Sequence, residues 1–187
     1  MFPPAIFVLF LGLCISSPPT EEIGEEKFTG LVSRIKTIPK IEKQYGIFIN
    51  MALPSNRKRL FLTDLTTRKI IHSSYVAHGK GSGRGQFAEK FSDDPGSYCT
   101  ATGLYKVGKN YNGKHGDSFE LIGLDSTNKN AVSRAIVIHT AWYCSEDFVQ
   151  KYKRCGNSWG CPAVSDPDFE KLRPYFSKGI LLYIYGN

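Results

Sequence analysis

Two residues in the last third of the chain, His139 and Cys161, are of the types best suited to covalent chemistry. His139 ends the apolar, β-branched segment 134–139 (RAIVIH), and Cys161 follows 22 residues later within Ser158-Trp159-Gly160-Cys161-Pro162. A cysteine that follows a glycine on a loop before a helix has backbone N–H groups around its sulfur, and these favour the nucleophilic thiolate. The same N–H groups hold the oxyanion of an attacked carbonyl, and a nearby imidazole supplies the base. The pattern indicates acyl transfer through a cysteine, but on the residues alone it also fits a half-cystine and a core histidine.

The elements that must position these two residues are mostly strands. Short apolar or alternating segments predict strands over 45–50, 59–64, 69–77, 103–111, 118–124, 134–139 and 179–185. Helices are predicted over 28–36, over 145–153 with Ser145 as its cap, and over 165–175 with Pro167 in its first turn. We therefore expect a mostly-β domain of about eight strands with two or three short helices.

The composition excludes a wholly disordered chain and leaves several kinds of partner open. Of the 187 residues, 41% are hydrophobic and 13% are aromatic, which is ample material for one core. The net charge of +7 suits nucleic acid, an anionic membrane or an acidic polymer, and composition does not choose among them.

The first twenty residues predict an export segment. Residues 1–20 contain no Lys, Arg, Asp or Glu, and nine apolar residues run from Ala5 to Leu13, too few to span a membrane. This fits a signal peptide without its usual positive start, or a lipoprotein-type segment with a lipid anchor at Cys14. We expect 21–44 to be a solvated acidic tether with a short helix, and 45–187 to be the catalytic domain.

Further segments agree with the motif at Cys161 and resemble one known family. His139 followed by Ser158-x-Gly160-Cys161 resembles the signature of the L,D-transpeptidase (YkuD-type) catalytic domain, in the branch with a Ser-Trp-Gly-Cys-Pro loop. The agreeing segments are 76–83 (VAHGKGSG), 91–92 (FS), 95–97 (PGS), 111–116 (YNGKHG) and 133–139 (SRAIVIH). The resemblance covers about 45 to 185 and implies an L,D-transpeptidase-like β-sandwich.

The resemblance also implies roles for particular residues. Cys161 resembles the nucleophile, His139 the base, and the N–H groups of Gly160 and Cys161 the oxyanion hole, while the carbonyl of Thr140 would steady the imidazole. Family members attack the L-centre carbonyl of a peptidoglycan stem tetrapeptide, release D-Ala and pass the acyl group to an amine, which makes a 3→3 cross-link. Carbapenems trap the cysteine of such enzymes.

Substrate-binding residues are less sharply indicated. We expect His115, Ser158, Trp159, Arg134 and His78 to contribute to the substrate groove, largely because of the resemblance. Ala163 stands where the broad family often has an arginine, so the basic group that meets a substrate carboxylate is open. Arg134, Lys80, Lys114 and Arg84 are candidates that the sequence does not rank.

The remaining cysteines suggest one disulfide. Cys144 and Cys155 lie in the length that this chain adds between His139 and Cys161, and we predict that they are bonded. Cys99 is then a buried thiol, or the true partner of one of the two. Zinc binding is disfavoured because no C-x-x-C occurs, so we expect no metal and no cofactor.

Alternatives to cross-linking stay open at this stage. The same Cys–His pair supports L,D-carboxypeptidase activity with water as acceptor, or exchange of D-amino acids. A catalytically silent peptidoglycan-binding module is the alternative from another class. In each case we expect a monomer that meets peptidoglycan stem peptides and no nucleic acid, in the periplasm or at the cell envelope.

Overall fold

The structure is a computed structural model that describes residues 20–113 and 116–187. The predicted export segment and Cys14 lie outside these residues, apart from Thr20, and so do Lys114 and His115. Within the described residues no helix has the length and apolar character that a membrane span requires.

Eight strands and four helices are present in the described residues. The strands are β1 (Tyr45–Asn50), β2 (Leu60–Asp64), β3 (Ile70–Ser74), β4 (Gly103–Gly113), β5 (Gly116–Gly123), β6 (Val137–Thr140), β7 (Ala163–Val164) and β8 (Leu181–Tyr185). The helices are α1 (Thr20–Ile23), α2 (Glu25–Thr37), α3 (Glu146–Tyr152) and α4 (Asp166–Phe176). The strands form one nearly barrel-shaped sheet in the order β3-β2-β1-β8-β4-β5-β6-β7, which confirms the mostly-β prediction.

Successive residues of a strand point to opposite faces of the sheet, so both faces carry apolar side chains. A helix packs against each of these faces. On β1, Ile47 and Ile49 join the core that contains Phe169 of α4. Phe48, between them, joins the second core, where it stacks on Phe28 of α2 at 5.9 Å between ring centroids. The sheet is therefore covered on both sides.

The N-terminal segment differs from the solvated tether that its glutamates suggested. Phe28, Leu31 and Ile35 recur at helical spacing and are all buried against the sheet. Ile23 of α1 is also buried, and its carbonyl accepts a hydrogen bond from the Tyr185 hydroxyl at 2.9 Å. The glutamates lie on the outer side, where Glu25 pairs with Arg68 and Glu22 pairs with Arg57, two arginines of the loops on either side of β2. The glutamates form one face of the N-terminal helices, and the apolar residues form the opposite, buried face.

The predicted cap at Ser145 is confirmed, but the strands predicted over 134–139 and 179–185 begin later in the structure. Ser145 and Ser165 cap α3 and α4 by accepting backbone N–H groups. The segment predicted as a strand over 134–139 enters the sheet at Val137, because Ala135 adopts a left-handed turn with φ of 52°.

Candidate active site

The end of the sheet formed by β5, β6 and β7 brings His139 and Cys161 into one region. His139 on β6 pairs with Ala163 on the parallel strand β7. The loop before β7 therefore runs beside the first residues of β6, and the Val137 N–H points to the Cys161 sulfur at 3.5 Å. Val137 and His139 are two apart on a strand, so their side chains share a face.

His139 is held in one orientation by its own backbone neighbourhood. Its side chain is buried, and Nδ1 lies 2.8 Å from the carbonyl oxygen of Thr140. A carbonyl only accepts hydrogen bonds, so Nδ1 carries the proton and Nε2 is the basic nitrogen of the neutral ring. This contact confirms the role that the resemblance implied for Thr140.

Burial opposes the thiolate form of Cys161 that the sequence pattern favours. Burial raises the pKa of Cys161 above its ordinary value, against smaller lowering effects from the Val137 N–H and the Arg134 cation. The sulfur also lies 3.9 Å from the carbonyl oxygen of Ala135. A base near the sulfur would favour its ionisation.

Both residues line one cleft of about 800 Å³. Its walls come from the turn around Pro95 and Gly96, the segment that leads into β6, and the loop that carries Cys161. Trp142 and Trp159 also line the cleft, and they are 73% and 65% exposed. Large exposed tryptophans beside a reactive pair are suited to contact a ligand rather than to fill the core.

The loop at Cys161 is shaped by Ser158 and Gly160. The Gly160 N–H donates to the Ser158 hydroxyl oxygen at 3.1 Å, and that hydroxyl donates to the Cys161 carbonyl at 2.5 Å. Ser158, predicted to bind substrate, thus has its hydroxyl engaged within the loop. The Gly160 N–H, predicted to belong to the oxyanion hole, is engaged as well.

Glycine is required at position 160 for two separate reasons. Its φ of 123° is in the region that L side chains rarely adopt, and a Cβ there would lie 2.8 Å from the Cys99 carbonyl oxygen. Gly160→Ala is therefore expected to shift the loop and to slow acylation of Cys161 by a carbapenem by about 100-fold. Gly85→Ala is the matched control, because a Cβ at Gly85 meets open space. Equal acylation rates in the two variants would contradict this requirement.

Arg134 lines the cleft, but its guanidinium is used inside the protein. It donates to the carbonyls of Ser92 at 3.1 Å and Cys99 at 2.7 Å, and it pairs with Asp93 at 3.3 Å. Its side chain is 5% exposed. These bonds hold the 92–99 segment against the Cys161 loop, so the predicted substrate-binding role of Arg134 becomes a structural one.

The prediction that His78 contacts substrate is wrong. The residue is completely buried, and both ring nitrogens are used: Nδ1 accepts from Arg59 at 2.9 Å, and Nε2 donates to the Gly83 carbonyl at 3.0 Å. His78 instead fixes the start of the glycine-rich loop, residues 78–85 (HGKGSGRG).

The burial of His78 predicts a loss of stability in acid. Burial, and then the Arg59 cation, lower the pKa of His78 from 6.5 to about 4. Between these values the unfolded chain binds a proton at His78 that the folded protein does not. The free energy of unfolding should therefore fall by about 3 kcal/mol as the pH drops from 6.5 to 4. Urea unfolding across this range should show a shallower pH dependence in His78→Asn; the same dependence in both proteins would contradict the prediction.

One wall of the cleft contains an aromatic pair that the sequence did not single out. Tyr98, 41% exposed, meets Trp159 edge to face at 5.5 Å between ring centroids. Trp159 was predicted as a groove residue, whereas Tyr98 had only its position after the Pro95-Gly96 turn as a signal. His115 lies outside the described residues, and its groove role stays a prediction.

Cys144 and Cys155 are brought together, but they are free thiols in the structure. Both are completely buried in one cluster, and the Gly156 N–H donates to the Tyr143 carbonyl at 2.9 Å, so the chain segments run side by side. Cys99 is a third buried thiol. No group of three or more metal-binding side chains occurs in residues 20–113 and 116–187.

A bond between Cys144 and Cys155 is testable directly. Air oxidation of the purified protein should remove the mass of two hydrogen atoms and protect these two cysteines from alkylation after denaturation. Closing the loop between them should add roughly 3 kcal/mol to the free energy of unfolding. Cys99→Ser is the control that must leave the bond unchanged; a bond that disappears in this variant would show that Cys99 is the true partner.

Comparison with known proteins supports one family. A model of the L,D-transpeptidase catalytic domain matches residues 20–185, and no curated protein matches the chain. Similar solved structures include an L,D-transpeptidase from Mycobacterium smegmatis, with 8% identity over 76% of this chain and 58% of that one, and a TM-score of 0.46. Another is an L,D-transpeptidase from Stackebrandtia nassauensis, with 14% identity over 90% and 74%, and a TM-score of 0.47.

A third similar structure is a helical cell shape determining protein from Campylobacter jejuni, with 14% identity over 92% of this chain and 57% of that one, and a TM-score of 0.45. The chain thus spans little more than half the length of two of these proteins. The family match covers nearly the whole chain, including α2, the sheet and the loop at Cys161. The chain belongs to the L,D-transpeptidase catalytic domain family.

Proposed function

We propose that the protein is a peptidoglycan L,D-transpeptidase in which Cys161 is the nucleophile and His139 the base. The observation that carries the proposal is the shared cleft: both residues line it, and the Thr140 carbonyl fixes Nδ1 of His139 as the protonated nitrogen. A neutral imidazole with a basic Nε2 is the form that removes a thiol proton. The family match supports the reaction class.

In the acylation step, Nε2 of His139 takes the Cys161 proton, and Sγ attacks the L-centre carbonyl of a stem tetrapeptide. The C–S bond forms as the carbonyl becomes an oxyanion. The imidazolium then protonates the departing nitrogen, and the amide bond breaks. D-Ala leaves, and the rest of the stem peptide stays bound to Cys161 as a thioester. A hydrogen-bond donor that faces the oxyanion stabilises the transition state of this step. We assign that role to the Cys161 N–H, because the Gly160 N–H is bonded to Ser158.

In the second step, an amine of a neighbouring stem attacks the thioester. His139 takes the amine proton and returns a proton to sulfur as the C–S bond breaks, so the enzyme is regenerated and a 3→3 cross-link is formed. Water in place of the amine gives a carboxypeptidase, and a free D-amino acid gives exchange.

The purified protein, incubated with disaccharide tetrapeptides, tests this assignment through the mass of the products. Release of D-Ala with formation of a dimer supports the transpeptidase. D-Ala release with tripeptide as the sole product favours hydrolysis through the same pair. Failure to release D-Ala, together with no adduct from a carbapenem, would contradict both and favour the silent binding module.

The proposal also has a consequence for location. Peptidoglycan lies outside the cytoplasmic membrane, so we propose an exported protein at the cell envelope. The signal or lipoprotein segment over 1–20, a lipid on Cys14 and the monomeric state remain predictions. Mass measurement of the mature protein extracted from membranes tests the first two.

A further inference from the structure

Among residues 20–113 and 116–187, Lys80 is a cation that contacts the aromatic wall of the cleft. Of the four basic residues that the sequence left unranked, Arg134 is bonded internally, and Lys114 lies outside the described residues. Neither Arg84 nor Lys80 is itself a residue of the cleft wall, and Arg84 is exposed. Lys80 differs from it because its ammonium lies over two aromatic rings that do line the cleft.

Lys80 lies against the aromatic pair that forms one cleft wall. Its Nζ is 4.1 Å from the ring centroid of Tyr98 and 4.8 Å from that of Trp159, and both rings line the cleft that contains Cys161. Among the ion pairs of residues 20–113 and 116–187, none includes Lys80. Ring faces attract an ammonium group but leave its hydrogen-bond capacity for a further acceptor.

The backbone fixes this arrangement beside the nucleophile. The Lys80 N–H donates to the Ser158 carbonyl at 2.8 Å. A Cβ on Gly79 would lie 2.8 Å from the Gly160 Cα, so the residue before Lys80 packs directly on the residue before Cys161.

Tyr98 also has a φ of 54°, which is uncommon for a residue other than glycine. Its carbonyl accepts the Gly81 N–H at 3.0 Å, and a Cβ on Gly81 would lie 2.1 Å from the Ser97 carbonyl oxygen. Glycines on one segment and a left-handed tyrosine on the other thus let the two loops approach closely. Such conformations persist where the surroundings enforce a particular side-chain placement.

We propose that Lys80, held on Tyr98 and Trp159, binds the terminal carboxylate of the acyl donor. This deepens the proposed function and rests on it. The leaving D-Ala carries a carboxylate next to the bond that breaks, so its charge enters the cleft close to Cys161. An ammonium that is restrained by two rings pays little additional ordering cost to meet it, and a charge-assisted hydrogen bond forms.

The test measures binding without chemistry. In the Cys161→Ala background, calorimetry compares a disaccharide tetrapeptide with its C-terminal amide. We expect the carboxylate form to bind about 10-fold more tightly or better. Lys80→Met should remove this preference while leaving the affinity for the amide within about twofold. Lys58→Met is the matched control, because Lys58 lies 5.9 Å from the Tyr75 ring, away from the cleft.

Three results would overturn the inference: no preference for the carboxylate, a preference that survives Lys80→Met, or an equal loss of affinity for both ligands. The last would show that Lys80 only supports the rings. The unaltered protein could also release no D-Ala while the carboxylate preference depends on Lys80. That result would establish the carboxylate site and would reject only the proposed function.

Discussion

Replacing Cys161 by alanine is expected to abolish the carbapenem adduct, so that the intact mass of the protein is unchanged after incubation. Without the sulfur no thioester forms, and acylation should slow by at least about 10⁴-fold. His139→Ala keeps the thiol but removes the base. Because burial raises the pKa of Cys161, little thiolate forms unaided, and acylation should slow by about 10²–10⁴-fold.

The matched control for this prediction is Cys99→Ala. Cys99 is a buried thiol whose contact with Arg134 is made by its carbonyl rather than its sulfur, so its loss leaves that bond available. We expect Cys99→Ala to give a single adduct at a rate close to that of the unaltered protein. An adduct that persists in Cys161→Ala would reject the assigned nucleophile.

The parts of the site that the sequence predicted are those encoded by neighbouring residues. His139 terminates a short apolar strand, and its partner Thr140 is the next residue, so one segment specifies both the base and its support. The cap at Ser145 and the glycine at 160 are likewise local signals. For these positions the backbone geometry follows from residue type and order.

The residues that were misjudged depend on contacts between distant segments. Arg134 looked like a substrate-binding cation, but Asp93, 41 residues earlier, lies beside it and neutralises it. His78 looked like a groove residue, but Arg59, 19 residues away, occupies its Nδ1. A charge or an imidazole has the same sequence signature whether its partner is a substrate or a buried side chain. Only the tertiary arrangement decides between them.

The same contact underlies the largest expected effect on stability, which is that of Arg59→Met. Arg59 is completely buried, and burial lowers its pKa to about 10, so it stays charged at neutral pH. It donates to the carbonyls of Val76 at 2.8 Å and Leu53 at 2.8 Å and to His78. Methionine would leave these acceptors without donors, and the Val76 carbonyl and His78 are fully buried. At about 1–3 kcal/mol for each of these two, the free energy of unfolding in urea should fall by about 2–6 kcal/mol.

Arg57→Met separates this effect from the general loss of an arginine. Arg57 lies two positions away, is half exposed and pairs with Glu22 at the surface, so its replacement should cost less than about 1 kcal/mol. Arg59→Lys adds a second comparison, since it keeps the charge but has fewer donors in a different geometry, and it should fall between the other two. If Arg59→Met unfolds at the same urea concentration as Arg57→Met, the buried guanidinium does not hold the glycine-rich loop in place. The position of Lys80 beside the cleft would then need another source of rigidity.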